Sequence, residues 1–93
     1  MRKPNFSEDV IVAVISMQNG YCDIDGCYES ICDTHHKLSN SIINRERFPL
    51  FTNSIMNCVG LCREHHDSAE IYKYKISLKK AECYERYLNG DLK

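Results

Sequence analysis

Residues 57–66 read NCVGLCREHH. An apolar piece over 55–61, IMNCVGL, runs straight into Cys62 and His65, two metal-type side chains with two residues between them, and then into His66. Such close pairs recur in zinc sites because both ligands sit on one tight turn, and a tetrahedral structural site takes two pairs far apart in sequence. Cys22 and Cys27, four residues apart across the turn DIDG, supply the second pair. Together Cys22, Cys27, Cys62 and His65 read as a structural zinc knuckle that ties the N-terminal third to the start of the last helix. Cys32 stands at the same four-residue gap from Cys27, so it can replace Cys22 or Cys27 in the set. The Cys22/Cys27 frame is preferred because Cys32 alternates with apolar Ile31 in an expected strand. Cys58 and Cys83 read as small buried hydrophobes without a metal.

A chain of 93 residues makes one domain, 1–93, with its core over about residues 20–75. So small a core leaves a thin stability margin, which disulfides or a structural metal commonly widen. The N-terminus, MRKPNFSEDV, lacks the apolar stretch of a signal peptide. The longest apolar run, Val10 to Ile15, is too short to span a bilayer. The expected setting is therefore cytoplasmic, with no membrane partner and with reduced thiols, which favours metal over disulfides.

Working outward, residues 7–19 predict a helix: Ser7 is a good N-cap, Glu8 and Asp9 suit its first turn, and Gly20 is a natural stop. Val10, Val14 and Met17 share one face of it. A strand is expected from Tyr28 to Thr34. Residues 37–54 form a long, polar, Asn-rich connection, helical over 41–47, of a length that is usually functional or locally structured. A helical pattern from about His65 to Leu88 ends at Asn89-Gly90. Its apolar face comprises Ile71, Tyr74, Leu78, Ala81, Tyr84, Tyr87 and Leu88.

The histidines form a second constellation. Hydrolysis of a phosphodiester needs an activated water, charge stabilisation at phosphorus and a cation at the leaving oxygen. Neutral imidazole is the natural base near pH 7. The residues able to do this are CDTHH ending at His36, Asn57, and the pair ending at His66. Asp33 is placed to hydrogen-bond an imidazole from the same strand.

The order of these features resembles the HNH endonuclease family: helix, cysteine pair, acid-x-His-His, asparagine, Leu-Cys-x-x-(Cys or His)-His, helix. The likeness covers about residues 8–75 and is strongest in ICDTHHKL and NCVGLCREHH. It implies an α+β fold, a small ββα-metal domain with flanking N- and C-terminal helices, stabilised by zinc. It also implies a metal-dependent DNA endonuclease. In that scheme His36 is the general base, and His35 and His66 hold a catalytic divalent cation such as Mg2+ or Mn2+. Asn57 binds the metal or orients the base, and His65 belongs to the knuckle. The alternative is an inactive zinc-dependent nucleic-acid or protein-binding module on the same scaffold. Such a domain is expected in a bacterial or phage-type intracellular protein, as a monomer or homodimer; double-strand cleavage would need the dimer.

A net charge of −1 is low for a DNA enzyme, but the charges are segregated. Residues 1–33 carry six acids against Arg2 and Lys3, whereas 34–63 carry Lys37, Arg45, Arg47 and Arg63 against Glu46 alone. Residues 71–80 add four lysines and no acid. A basic middle can meet phosphates while the acidic third faces away, which makes Lys37, Arg45, Arg47 and Arg63 the candidate DNA contacts.

Overall fold

Two four-residue strands organise the chain. In the computed structural model, which describes residues 6–90 with the side chains of Ala69 and Glu70 excepted, β1 (Asp33–His36) pairs antiparallel with β2 (Cys58–Leu61). Asp33 lies opposite Leu61, Thr34 opposite Gly60, His35 opposite Val59 and His36 opposite Cys58. Side chains alternate across a strand. Asp33 and His35 therefore share one face with Val59 and Leu61, and His36 shares the other with Cys58. Arg2, Lys3 and the last three residues lie outside the described part, and so does their share of the charge pattern.

All four residues of β2 are buried, and each face has its own cover. On one side Cys58 packs with Phe6 and Val14, the latter from helix α1 (Glu8–Met17). The Ser7 hydroxyl caps α1 by accepting from the Val10 amide, as its sequence predicts, and the chain turns off through Asn19 and Gly20, both at positive φ. Met17, expected on the buried face, is exposed. On the other side Val59 and Leu61 join Cys22 and Cys62, with Ile71 and Tyr74 laid over them. Gly60 is where β2 is approached most closely. A Cβ there would come within 2.7 Å of the Ile31 side chain. The Gln18 amide also docks on it, accepting from the Gly60 N–H and donating to the Gly60 carbonyl. With the Asp23 amide, which donates to the same carbonyl, it covers this strand edge.

A third cluster comes from the connection between the strands. Helix α2 (Ile42–Arg47) is capped by Ser41, and Phe48 and Phe51 then turn inward to meet Leu38 and Ala81. The Glu85 carboxylate accepts from the amides of Leu50 and Phe51, and the Phe51 ring stacks on Tyr84 with centroids 5.2 Å apart. The expected polar connection thus carries half of a core.

Two expectations about elements need correction. The strand expected over Tyr28–Thr34 begins later: Tyr21 and Ser30 form an isolated bridge, and ladder bonding starts at the Cys32 amide, which donates to the Leu61 carbonyl. The backbone of 22–30 is instead folded back on itself, Cys22 N–H donating to the Glu29 carbonyl. The single helix expected from His65 to Leu88 is three pieces: α3 (Arg63–His66), a 3-10 segment (Ala69–Tyr74) and α4 (Leu78–Leu88). Serines make the breaks. The Ser68 hydroxyl donates to the His65 carbonyl at the end of α3, and Ser77 caps α4 through the Lys80 amide. The apolar face divides accordingly, with Ile71 and Tyr74 on the Cys22–Leu61 cluster, Ala81 and Tyr84 on the Phe48–Phe51 cluster, and Leu78, Tyr87 and Leu88 exposed. Among the described residues the result is a small α+β fold of four α-helices and a two-stranded sheet, and no helix is long and apolar enough to cross a membrane.

Candidate functional site

The turn between Tyr21 and Ser30 and the junction of β2 with α3 bring Cys22, Cys27, Cys62 and His65 together, with all four ligand atoms within 4.8 Å of one another. Cys27 Sγ lies 3.9 Å from Cys62 Sγ, and His65 Nδ1 lies 3.2 Å from Cys62 Sγ and 3.5 Å from Cys22 Sγ. A zinc tetrahedron with bonds of about 2.3 Å to sulfur and 2.0 Å to nitrogen has edges of about 3.5–3.8 Å. The four side chains could therefore hold a metal ion, and three thiols with an imidazole suit zinc. Burial alone raises the Cys22 thiol, but hydrogen bonds from the backbone of Cys62 and Ile24 and from the His65 and Cys62 side chains outweigh it and bring the pKa down to about 7. A metal requires such a thiolate. The Tyr74 hydroxyl donates to Asp23 at 2.7 Å and pins this loop beside Cys22.

Cys32, the alternative ligand, lies apart from this cluster: it is exposed, and its sulfur faces the Arg63 guanidinium at 3.6 Å. Cys58 is buried as expected, and burial pushes its thiol up to about 11. Cys83 is exposed, contrary to expectation, because Ala81 and Tyr84 pack against the Phe48–Phe51 cluster and helical spacing turns position 83 away from that face.

The histidines meet in a different place. His35 on β1 and His66 on α3 stand edge to face with ring centroids 5.5 Å apart, and Asp33 Oδ2 lies 3.5 Å from His66 Nδ1. His36, on the opposite face of β1, stacks on Phe6 with centroids 3.8 Å apart, and its Nε2–H donates to Asn53 Oδ1 at 2.9 Å. Burial lowers the pKa of His35, helped by the charges of His66 and His36, and burial lowers that of His36. Both rings are thus held toward the neutral form. His35, His36 and His66 all line one open cleft of about 520 Å³, together with Lys37 and Lys75. No family model, curated protein or solved structure matches the chain.

Asn57 differs most from its expected role. It is fully buried, its Oδ1 accepting from the Leu38 amide at 2.7 Å and its Nδ2 donating to the carbonyls of Leu38 and Thr52. With the whole amide committed to the backbone of Leu38 and Thr52, it clamps the two ends of the 38–57 connection. Asn53, four positions earlier, is the asparagine that contacts His36. Sequence reasoning passed over it as one more polar residue of the connection. Of the basic candidates, Lys37 lines the cleft. Arg63 lies beside Asp33, 3.9 Å from its carboxylate. Arg45 and Arg47 sit on α2 outside the cleft lining: Arg45 donates to the Ser41 carbonyl, and Arg47 lies over the Phe48 ring. Lys75, from the 3-10 side, is a cleft residue that was not singled out in advance.

Proposed function

We propose that this chain is an HNH-type nuclease that hydrolyses DNA phosphodiesters on a zinc-stabilised ββα-metal scaffold. The observation that carries the reading is the convergence of His35, His36 and His66 on one cleft lined by lysines, on elements anchored next to a separate zinc-type cluster. Residues 33–36 and 58–66 supply two strands and a short helix in the order that the family resemblance asks for.

Asp33, His35 and His66 are the residues that would hold a catalytic divalent cation. Asp33 Oδ2 lies 3.5 Å from His66 Nδ1 and the His35 ring stands 5.5 Å from the His66 ring, and these donor types, imidazole and carboxylate, would suit Mn2+ or Ni2+ ahead of Mg2+, which prefers oxygen ligands. Such a cation, when bound, neutralises charge on the phosphate and steadies the leaving 3′-oxygen. His36 works from the other side. With Nε2–H held by Asn53, its lone pair is on Nδ1, and a neutral ring in that tautomer can take the proton from an attacking water. The products would carry 5′-phosphate and 3′-hydroxyl ends. Lys37 and Lys75 line the cleft as counter-charges for the phosphates flanking the cut.

Conversion of supercoiled plasmid to nicked circle tests the proposal. Nicking is expected with added Mn2+, Ni2+ or Mg2+ and is expected to stop when these are chelated under conditions that leave the bound zinc in place. Zinc-loaded, folded protein that nicks with none of these cations would leave the inactive binding module as the better reading.

A further inference from the structure

The cleft contains more than the cutting of a phosphate requires. The three histidines contribute to its lining, and part of the wall is apolar: Leu38, Ile71 and Ile76 line it, together with Tyr72, which has 73% of its surface exposed. The neighbouring tyrosine of the same 3-10 segment, Tyr74, packs over the zinc-type cluster and is tied to Asp23, so the two aromatics are used differently. At about 520 Å³ the cleft falls within the range of small-ligand pockets, roughly 300–1,000 Å³, a size that suits one nucleotide. A duplex turns its bases inward and offers this cleft only a phosphate, leaving the apolar wall facing water. A single strand offers a phosphate together with an unstacked base whose face matches an aromatic ring, and base-on-aromatic contact is a principal source of affinity for single strands. Lys37 and Lys75 line the same cleft and supply charge for the adjoining phosphates.

We propose that the cleft takes an unstacked base against Tyr72 and that the DNA recognised is single-stranded at the site of the cut. The assignment rests on the nuclease reading for the role of the histidines, while the recognition itself can be measured without any cleavage. Tyr72 is the residue that decides it, and its exposure means that replacing it leaves the core intact.

The experiment is fluorescence anisotropy of the full-length, zinc-loaded protein at fixed salt without added divalent cation. The probes are a labelled oligothymidylate and a labelled duplex of equal length. The parent is expected to bind the single strand about tenfold more tightly than the duplex. Tyr72→Ala is expected to lose about that factor on the single strand while leaving duplex binding unchanged, and Tyr72→Phe to retain the preference. Duplex binding as tight as single-strand binding would overturn the proposal. So would a Tyr72→Ala protein that binds the oligothymidylate like the parent, or one that loses both probes equally. A parent that nicks plasmid but shows no such preference removes this proposal alone. One that shows the preference but never nicks removes the nuclease reading and leaves single-strand recognition standing.

Discussion

Asn57 and Asn53 are the same residue type, four positions apart, and the fold gives them unlike tasks. At Asn57 three backbone groups share one buried amide, so removing it leaves buried donors and acceptors without partners. Asn57→Ala is expected to cost about 3 kcal/mol, read as a lower midpoint in urea unfolding. A variant as stable as the parent but deficient in Mn2+ binding would return this residue to the metal. Asn53 makes one contact with His36 and is only half-buried. Asn53→Ala should therefore fold, keep its zinc and slow nicking about tenfold or more, by analogy with the loss of other imidazole-orienting groups. Asn53→Asp keeps an oxygen acceptor for the His36 Nε2–H and should recover most of the rate. Failure of that rescue, or an unaltered Asn53→Ala rate, would contradict the orienting role. Residue type and spacing drew attention to Asn57, but only the closed 38–57 connection shows which asparagine reaches the histidine.

Among the elements, the knuckle was the most legible. Zinc geometry constrains ligand spacing directly, so Cys62 and His65 with two residues between them identify a turn before any packing is known. What spacing left open was the choice between Cys22 and Cys32, because both stand at the same gap from Cys27. The three-dimensional path of 22–30, where backbone bonds fold the loop under β2, decides it. Cys62→Ser is accordingly expected to lose the metal and unfold, whereas Cys32→Ser should retain about one zinc per chain and the parent's unfolding midpoint. Loss of zinc from Cys32→Ser with retention by Cys22→Ser would reverse the frame. The helical pattern after His65 misled because Ile71, Tyr74, Ala81 and Tyr84 fit one helical face while serving two different clusters. Serine can cap as well as continue a helix, and here Ser68 and Ser77 interrupt the run. Helix α1 was legible because its caps are local: Ser7 and Gly20 act within a few residues of the positions they define.

At the scale of the whole molecule, three small apolar clusters form among the described residues, and Phe48 and Phe51 come from a stretch rich in asparagine, serine and arginine. Composition averaged over 37–54 hides two aromatic rings that are almost wholly inaccessible in the fold. Clusters of this size give limited cohesion, so the scaffold is expected to depend on zinc, and under the proposed function the chemistry falls to the histidine cleft. The two sites are distinct: His65 belongs to the first, and His35, His36 and His66 belong to the second. That separation is the central claim, and His36 tests it most directly because it ligates neither ion in this scheme. The measurement is single-turnover cleavage of a labelled DNA by His36→Ala, compared with the parent at equal zinc content, equal unfolding midpoint and saturating Mn2+. The expected result is a loss of about 100-fold or more in the cleavage rate with zinc, fold and DNA affinity unchanged. A His36→Ala protein that cleaves at the parent's rate, or that loses activity only together with its zinc, would contradict it.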